Sequence, residues 1–111
     1  MGGPHCPSTI PCRVHPTAQN RCEWIHNMEH GHMVLAYNCP MGCDDIVQAL
    51  SAFQAASPRS LVTPDPMLQS KVAAMVWGYS WASDAVDQAK LEAVRSMQDA
   101  DAPEPGVGCA R

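Results

Sequence analysis

Residues 24–43 read WIHNMEHGHMVLAYNCPMGC, and this stretch guides the interpretation of the rest of the chain. It contains three of the five histidines, together with one glutamate, three methionines and two cysteines. All of these side chains can bind transition metals. Folding alone does not require such a density of ligands, so we interpret this stretch as the functional centre of the protein.

The spacing of the histidines brings two of them together in either regular conformation. His26 and His30 are four residues apart, so on a helix they share a face with Glu29 beside them. A strand would also place both histidines on one face, along with Met28 and His32. The sequence therefore predicts a metal site built on His26 and His30, whichever conformation this segment adopts.

The surrounding ligands indicate which metal is bound. Imidazole suits zinc, copper, iron and nickel, whereas a thioether selects Cu(I). Histidines with methionines nearby favour copper, and three histidines with an open position and a carboxylate would instead suit catalytic zinc. We predict copper, with zinc as the alternative. The predicted metal site comprises His26 and His30, a third ligand from His5 or His32, and Met28, Met33 or Glu29 nearby.

The carboxylate in this stretch has three interpretations. Glu29 could be a ligand, a general base, or the partner that orients a ligating imidazole, and we favour the last role. The spacing H-x-x-E-H also matches an inverted zinc-hydrolase motif. That motif needs a long helix, and Gly31 follows at once. We therefore predict metal binding or handling rather than catalysis, with a metal-dependent enzyme using Glu29 as base as an alternative.

A second pair of candidate ligands flanks a turn between a predicted strand and a predicted helix. Cys39 and Cys43 enclose Pro-Met-Gly, and a cysteine at a helix N-terminus has a lowered pKa and is activated. The arrangement resembles the copper-chaperone branch of the thioredoxin superfamily. That resemblance implies thiol redox chemistry or copper delivery as an alternative function. The other interpretation is a structural disulfide, either between these two cysteines or with the arm and tail.

Length, charge and cysteine content limit the class of protein. The 111 residues predict a single domain, 1–111, and the net charge of −4 argues against nucleic-acid binding. No apolar run approaches the ~20 residues of a membrane span. Six cysteines in a small chain, without paired C-x-x-C knuckles, predict disulfides and an exported protein in the periplasm or outside the cell. The start lacks a signal-peptide pattern, so we expect a mature domain or a natural start.

The predicted elements define an α+β fold. We expect a short sheet of about three or more strands packed by two helices, behind an irregular disulfide-tied N-terminal arm, with a thioredoxin-like α/β fold as the alternative. The predicted segments are an irregular arm 1–23 and an α+β core 24–100 with strands 33–38, 61–63 and 71–81 and helices 43–56 and 83–99, followed by an extended tail 101–111.

Particular residues specify parts of this prediction. Ile46, Leu50 and Phe53 form the apolar stripe of the first predicted helix, with Asp44 or Asp45 as its cap. Cys109 is predicted to attach the tail through a disulfide. His15 is interpreted as a surface histidine, and the metal ion and another metal-handling protein are the expected partners.

At the histidine block the chain resembles DUF3105, a bacterial family of small exported domains of unknown function. The segments that carry the resemblance are Pro4-His5, HNMEHG at 26–31, TPDP at 63–66 and AMVWG at 74–78. Together they extend over most of the chain. The resemblance implies a shared fold and a shared histidine site, and it implies no particular reaction.

Overall fold

A four-stranded mixed sheet carries three helices in the structure, a computed structural model that describes residues 6–110. The elements are α1 (Arg21–Glu29), β1 (Met33–Tyr37), α2 (Asp44–Ala55), β2 (Ser60–Pro64), β3 (Val72–Val76), β4 (Tyr79–Ser83) and α3 (Gln88–Arg95). The predicted α+β class is confirmed. The prediction of two helices misses one, because α1 begins at Arg21, inside the segment predicted to be an irregular arm.

The strand order is β2-β1-β3-β4, with β1 parallel to β2 and antiparallel to β3. Helix α2 supplies the crossover that two parallel strands require. Because β1 lies inside the sheet with elements on both faces, Met33–Ala36 are fully buried, as the apolar run predicted. Strand β1 leads through a cysteine-containing turn into α2. This is the unit on which the thioredoxin-like alternative was based.

The two faces of the sheet carry separate apolar clusters. Met33 and Leu35 point into the main cluster beneath α2 and α3, whereas Val34 joins Ile10 and Trp24 on the other face. This division follows from the alternation of side chains along a strand. Helix α2 buries Ile46, Leu50 and Phe53, as its apolar stripe predicted.

The beginnings of α2 and α3 differ from the prediction. Cys43 is the N-cap of α2 and its side chain makes no capping hydrogen bond, so Asp44 and Asp45 lie in the first turn instead of at the cap. Carboxylates in that turn still complement the positive end of the helix. Helix α3 begins only after Asp87, whose side chain accepts a hydrogen bond from the amide of Lys90, because β4 continues to Ser83.

The prediction of one continuous strand over 71–81 is wrong, because the chain reverses within this segment. Strands β3 and β4 form a hairpin in which Val76 pairs with Tyr79. Gly78 lies in this tight turn at φ +86°, a conformation that glycine adopts without steric cost. The alternating pattern continues through the reversal, so periodicity alone does not reveal the turn.

The N-terminal arm packs beside β2 and is anchored by disulfides. His15 donates its amide to the carbonyl of Val62, and the amide of Val62 donates to Arg13, which protects an edge strand of the sheet. His15 is 3% exposed with its Nε2 2.8 Å from the carbonyl oxygen of Pro11, so its predicted surface position is wrong.

The disulfides are Cys6–Cys22, Cys12–Cys109 and Cys39–Cys43, and the second confirms the predicted attachment of the tail. Within residues 6–110, no helix is long and apolar enough to cross a membrane.

Candidate metal centre at the amino end of β1

Helix α1 brings the first two predicted ligands together. His26 lies in its last turn and His30 is its C-cap residue, so four residues separate them on one helical face. Their ring centroids are 4.6 Å apart in an edge-to-face arrangement. Of the two conformations considered for this segment, the structure has the helix. It contains only nine residues, because the chain turns at Gly31.

The ring of His26 is oriented by the arm. Its Nδ1 lies 2.9 Å from the carbonyl oxygen of Cys6. A carbonyl can only accept, so Nδ1 is the donor of this bond and Nε2 is the ring nitrogen through which His26 would bind a metal. Metal-binding histidines commonly have this arrangement, in which the second ring nitrogen donates to a backbone carbonyl. The Cys6–Cys22 disulfide holds this carbonyl near α1, because Cys22 belongs to the same helix as His26.

The C-terminal tail approaches His30 from the other side. Glu104 places a carboxylate oxygen 3.8 Å from Nε2 of His30, and the amide of Glu104 donates to the carbonyl of Glu29. The His30 side chain is 17% exposed, whereas that of Glu104 is 62% exposed. The tail therefore adds a carboxylate beside a histidine that solvent can still reach.

An ion pair fixes the turn at Gly31, between His30 and His32. Arg59 donates to both carboxylate oxygens of Asp99, at 2.7 and 2.8 Å, and to the carbonyl of His30 at 2.9 Å. The hydrogen bond from Arg59 holds the pKa of Asp99 well below its usual range, at about 2. A Cβ on Gly31 would lie 1.8 Å from Asp99, and Gly31 has φ +88°. This close approach explains why the residue between His30 and His32 is a glycine.

His32 is held by two hydrogen bonds in the protein interior. Its Nδ1 accepts from the side-chain amide of Asn27 at 3.0 Å, and its Nε2 donates to the carbonyl of Val107 at 2.8 Å. Burial lowers the pKa of His32, and the positive charge of Arg59 acts in the same direction. With both ring nitrogens occupied, His32 would have to give up a hydrogen bond before it could bind a metal in the predicted role of third ligand.

Sequence reasoning missed a buried polar side chain that joins several segments of this region. Asn27 is fully buried, and its amide bonds both the N–H and the carbonyl of Ile10 besides orienting His32. These contacts join the arm, α1 and the strand entry. The available signal is the asparagine itself, because a buried polar side chain in a nine-residue helix must have partners.

Three ligand side chains meet behind the histidine pair. Among residues 6–110, Cys12, His32 and Cys109 form a candidate metal group in which the three ligand atoms lie within 4.8 Å of one another. The two sulfurs are joined as a disulfide in the structure. Because the thiolate is the metal ligand, this group can bind a metal only after reduction.

The remaining predicted site residues have different positions. Met33 is fully buried in the main core, and Met28 packs against the second apolar cluster, so both thioethers contribute to packing. Glu29 ends α1 beside the histidine pair. His5 lies outside the described residues. The metal-binding roles of these four residues stay predictions.

The fold and the site define a small disulfide-stabilised α+β domain with a histidine cluster at the amino end of its central strand. The chain belongs to DUF3105, a family described as proteins of unknown function, whose model matches residues 1–111. No curated protein and no solved structure matches the chain significantly. The suspected family is confirmed over the whole chain, and the family brings no assigned reaction.

Proposed function

We propose that this protein binds a transition metal, copper in the first place, through the imidazoles of His26 and His30, and that it serves in metal binding or handling. The observation that carries the proposal is the orientation of His26. Its Nδ1 donates to the carbonyl of Cys6, which fixes the orientation of the ring, and the ring of His30 is only 4.6 Å away. Two imidazoles already held together lose little freedom when a metal joins them.

The donor atoms near this pair favour copper. The side chains at the pair offer imidazole nitrogen and the carboxylate oxygen of Glu104, while the thioether of Met33 is buried in the core. Nitrogen and oxygen donors in a tetragonal arrangement suit Cu(II). A given site generally binds copper more tightly than zinc, which remains the alternative metal.

We assign the further ligands from both ends of the chain. Glu104 lies close enough to His30 to act as an oxygen ligand after a small movement of an exposed side chain. His5 immediately precedes Cys6, the residue whose carbonyl orients His26, so it is the candidate third imidazole. Glu29, one residue before His30, remains the candidate for orienting a ligand or, in a metal-dependent enzyme, for acting as base.

Three disulfides support an exported location, in the periplasm or outside the cell. Disulfides form and persist in oxidising compartments and are rare in the cytosol. In such a compartment the six cysteines are oxidised and offer no thiolate to a metal. The histidine pair is then the site that can bind copper without prior reduction.

The test measures copper content and coordination in protein purified without a histidine tag. Oxidised, thiol-blocked protein is loaded with Cu(II), desalted, and examined by elemental analysis and electron paramagnetic resonance. We expect about one copper per chain with nitrogen hyperfine structure, and loss of both signals in the His26→Ala/His30→Ala variant.

A matched control is His15→Gln, which removes a histidine of the arm that lies outside the cluster. It should retain the copper, and circular dichroism checks that each variant is folded. Wild-type protein that binds neither copper nor zinc would refute the proposal. Full binding by the double variant would also refute it, since the metal would then be held elsewhere. A partial loss of copper affinity in His5→Ala or in Glu104→Gln would identify that residue as a further ligand.

A further inference from the structure

We propose that the Cys39–Cys43 disulfide is a thiol–disulfide exchange site that oxidises the dithiol of a partner protein. This activity goes beyond metal binding and uses the opposite end of β1. Cys39 follows β1 after a single residue, and Cys43 is the N-cap of α2. The proposal depends on three features of this disulfide, namely its electrostatic setting, its accessibility and the short chain segment that it closes.

The electrostatic setting distinguishes the two sulfurs. Cys43 lies at the amino end of a 12-residue helix, and its side chain makes no capping hydrogen bond. Main-chain amides at a helix N-terminus stabilise a thiolate and lower the pKa of a cysteine there. Asp44 and Asp45 in the first turn, together with Asp84 in the lining of both cavities, oppose this effect with their negative charges, whereas Lys71 in the same lining acts with it. We assign Cys43 as the leaving thiolate because it, and not Cys39, is the N-cap residue of the helix.

Open space surrounds this disulfide on two sides. Cavities of about 520 and 400 Å³ flank the turn, and both are lined by Cys43 and Lys71. Cys39 lines the second cavity, together with the segment 68–71. Met41, between the two cysteines, is 97% exposed. Exchange requires a thiolate to reach one of the two sulfurs. Cys39 and Cys43 are half-buried, and the two cavities give an attacking group a route to their exposed side.

The disulfide constrains little of the chain. Its cysteines are four residues apart, compared with 16 for Cys6–Cys22 and 97 for Cys12–Cys109. The loss of unfolded-state entropy that a disulfide produces grows with the length of the loop it closes, so this one contributes least to stability. The strand pairings of β1 and the buried residues of α2 involve other residues, while Cys39 and Cys43 themselves pack against the main core.

The exchange balances in two steps. A thiolate of the partner attacks the sulfur of Cys39, a mixed disulfide forms, and Cys43 departs as the thiolate. The second thiol of the partner then attacks its own sulfur in that mixed disulfide and releases Cys39. The partner loses two electrons and two protons and becomes a disulfide, while Cys39 and Cys43 become thiols. A protein dithiol is thus the co-substrate, and an external disulfide or oxidase restores the oxidised state.

The experiment compares the three disulfides within one folded molecule. Native protein is incubated with dithiothreitol or with a reduced thioredoxin-type protein, samples are quenched with an alkylating agent, and each cysteine is mapped by mass spectrometry. We expect Cys39 and Cys43 to be alkylated at least tenfold faster than the other four cysteines. The other two disulfides in the same samples are the matched controls.

Variants test the assigned order of attack. Cys39→Ser leaves Cys43 as a free thiol, which should react faster with oxidised glutathione at pH 7 than the free Cys39 of Cys43→Ser, because the helix N-terminus stabilises the Cys43 thiolate. Equal reduction rates for all three disulfides would refute the proposal, as would reduction of Cys39–Cys43 only after unfolding. The wild-type rates decide the outcome even if either variant fails to fold. Copper content in the same samples reports separately on the histidine pair.

Discussion

The two ends of β1 carry the two chemically distinctive regions of this protein, and they are built differently. The strand has five residues, about 16 Å at 3.3 Å per residue, so the regions are separate. At the amino end, the arm, α1, Arg59 and the tail all contribute to the position of the histidines. At the carboxyl end, two cysteines four residues apart close a turn before α2.

The difference indicates what each end can do. The histidine end is held by contacts between residues far apart in the chain, such as those from Asn27 to Ile10 and from His32 to Val107. Such contacts orient side chains before a ligand arrives, which suits binding. The cysteine end is a local turn flanked by two cavities, and its disulfide joins residues only four apart. That property suits exchange with a partner.

The disulfides provide the largest expected contrast between the two ends. Replacing Cys12 and Cys109 by serine removes a crosslink between residues 97 apart, while replacing Cys39 and Cys43 removes one between residues four apart. We expect the free energy of unfolding to fall by about 5 kcal/mol in the first case and by about 2 kcal/mol in the second. Urea unfolding of both double variants measures the difference. Equal losses would show that the cysteine turn is as structural as the tail crosslink.

Two glycines provide a smaller, matched contrast. Gly31 and Gly42 both have positive φ, at +88° and +92°, but a Cβ on Gly31 would overlap Asp99 and a Cβ on Gly42 meets nothing within 4 Å. Gly42→Ala should cost about 1 kcal/mol for its backbone conformation alone. Gly31→Ala should cost about 3 kcal/mol, because Asp99 must also move.

Thermal unfolding of the two glycine variants measures these costs. Copper binding by the folded Gly31→Ala protein should also weaken, since the turn positions His30. A Gly31→Ala protein as stable as Gly42→Ala would contradict the proposed tight packing of Arg59 and Asp99 around the histidine turn.

The smallest expected effect is the pH dependence of stability that comes from Asp99, the carboxylate in the ion pair at the histidine end. The pKa of Asp99 is about 2 in the folded protein and near 3.9 when unfolded, so its ionised form favours folding. The stabilisation is complete above about pH 4 and is lost as the pH falls through 2. Asp99 is 35% exposed, so we expect Asp99→Asn to cost at most about 1 kcal/mol at pH 7 and less at pH 2.

Urea unfolding at pH 7 and at pH 2 measures this dependence. Arg59→Gln should lose more than Asp99→Asn, because Arg59 also donates to the carbonyl of His30, and the double variant should lose little more than Arg59→Gln alone. Additive losses would mean that the two side chains act independently.

Several features of the fold follow from local pattern. The apolar run 33–37 predicts a strand buried on both faces, and the stripe of Ile46, Leu50 and Phe53 predicts α2. The spacing of His26 and His30 predicts that they meet. These predictions succeed because side-chain period and sequence spacing determine them. The hairpin at Gly78 was missed, because an alternating pattern persists through a two-residue turn.

The sequence by itself determined the α+β class, the family and the proximity of His26 and His30. The number of cysteines also indicated that they are oxidised to disulfides. Only the tertiary structure decided which cysteines pair, that Asn27 and His32 are buried partners, and that the tail reaches His30. The physical reason is the range of the interactions. Periodicity and spacing operate within a few residues, whereas these pairings join residues distant in sequence and depend on how the whole sheet is covered.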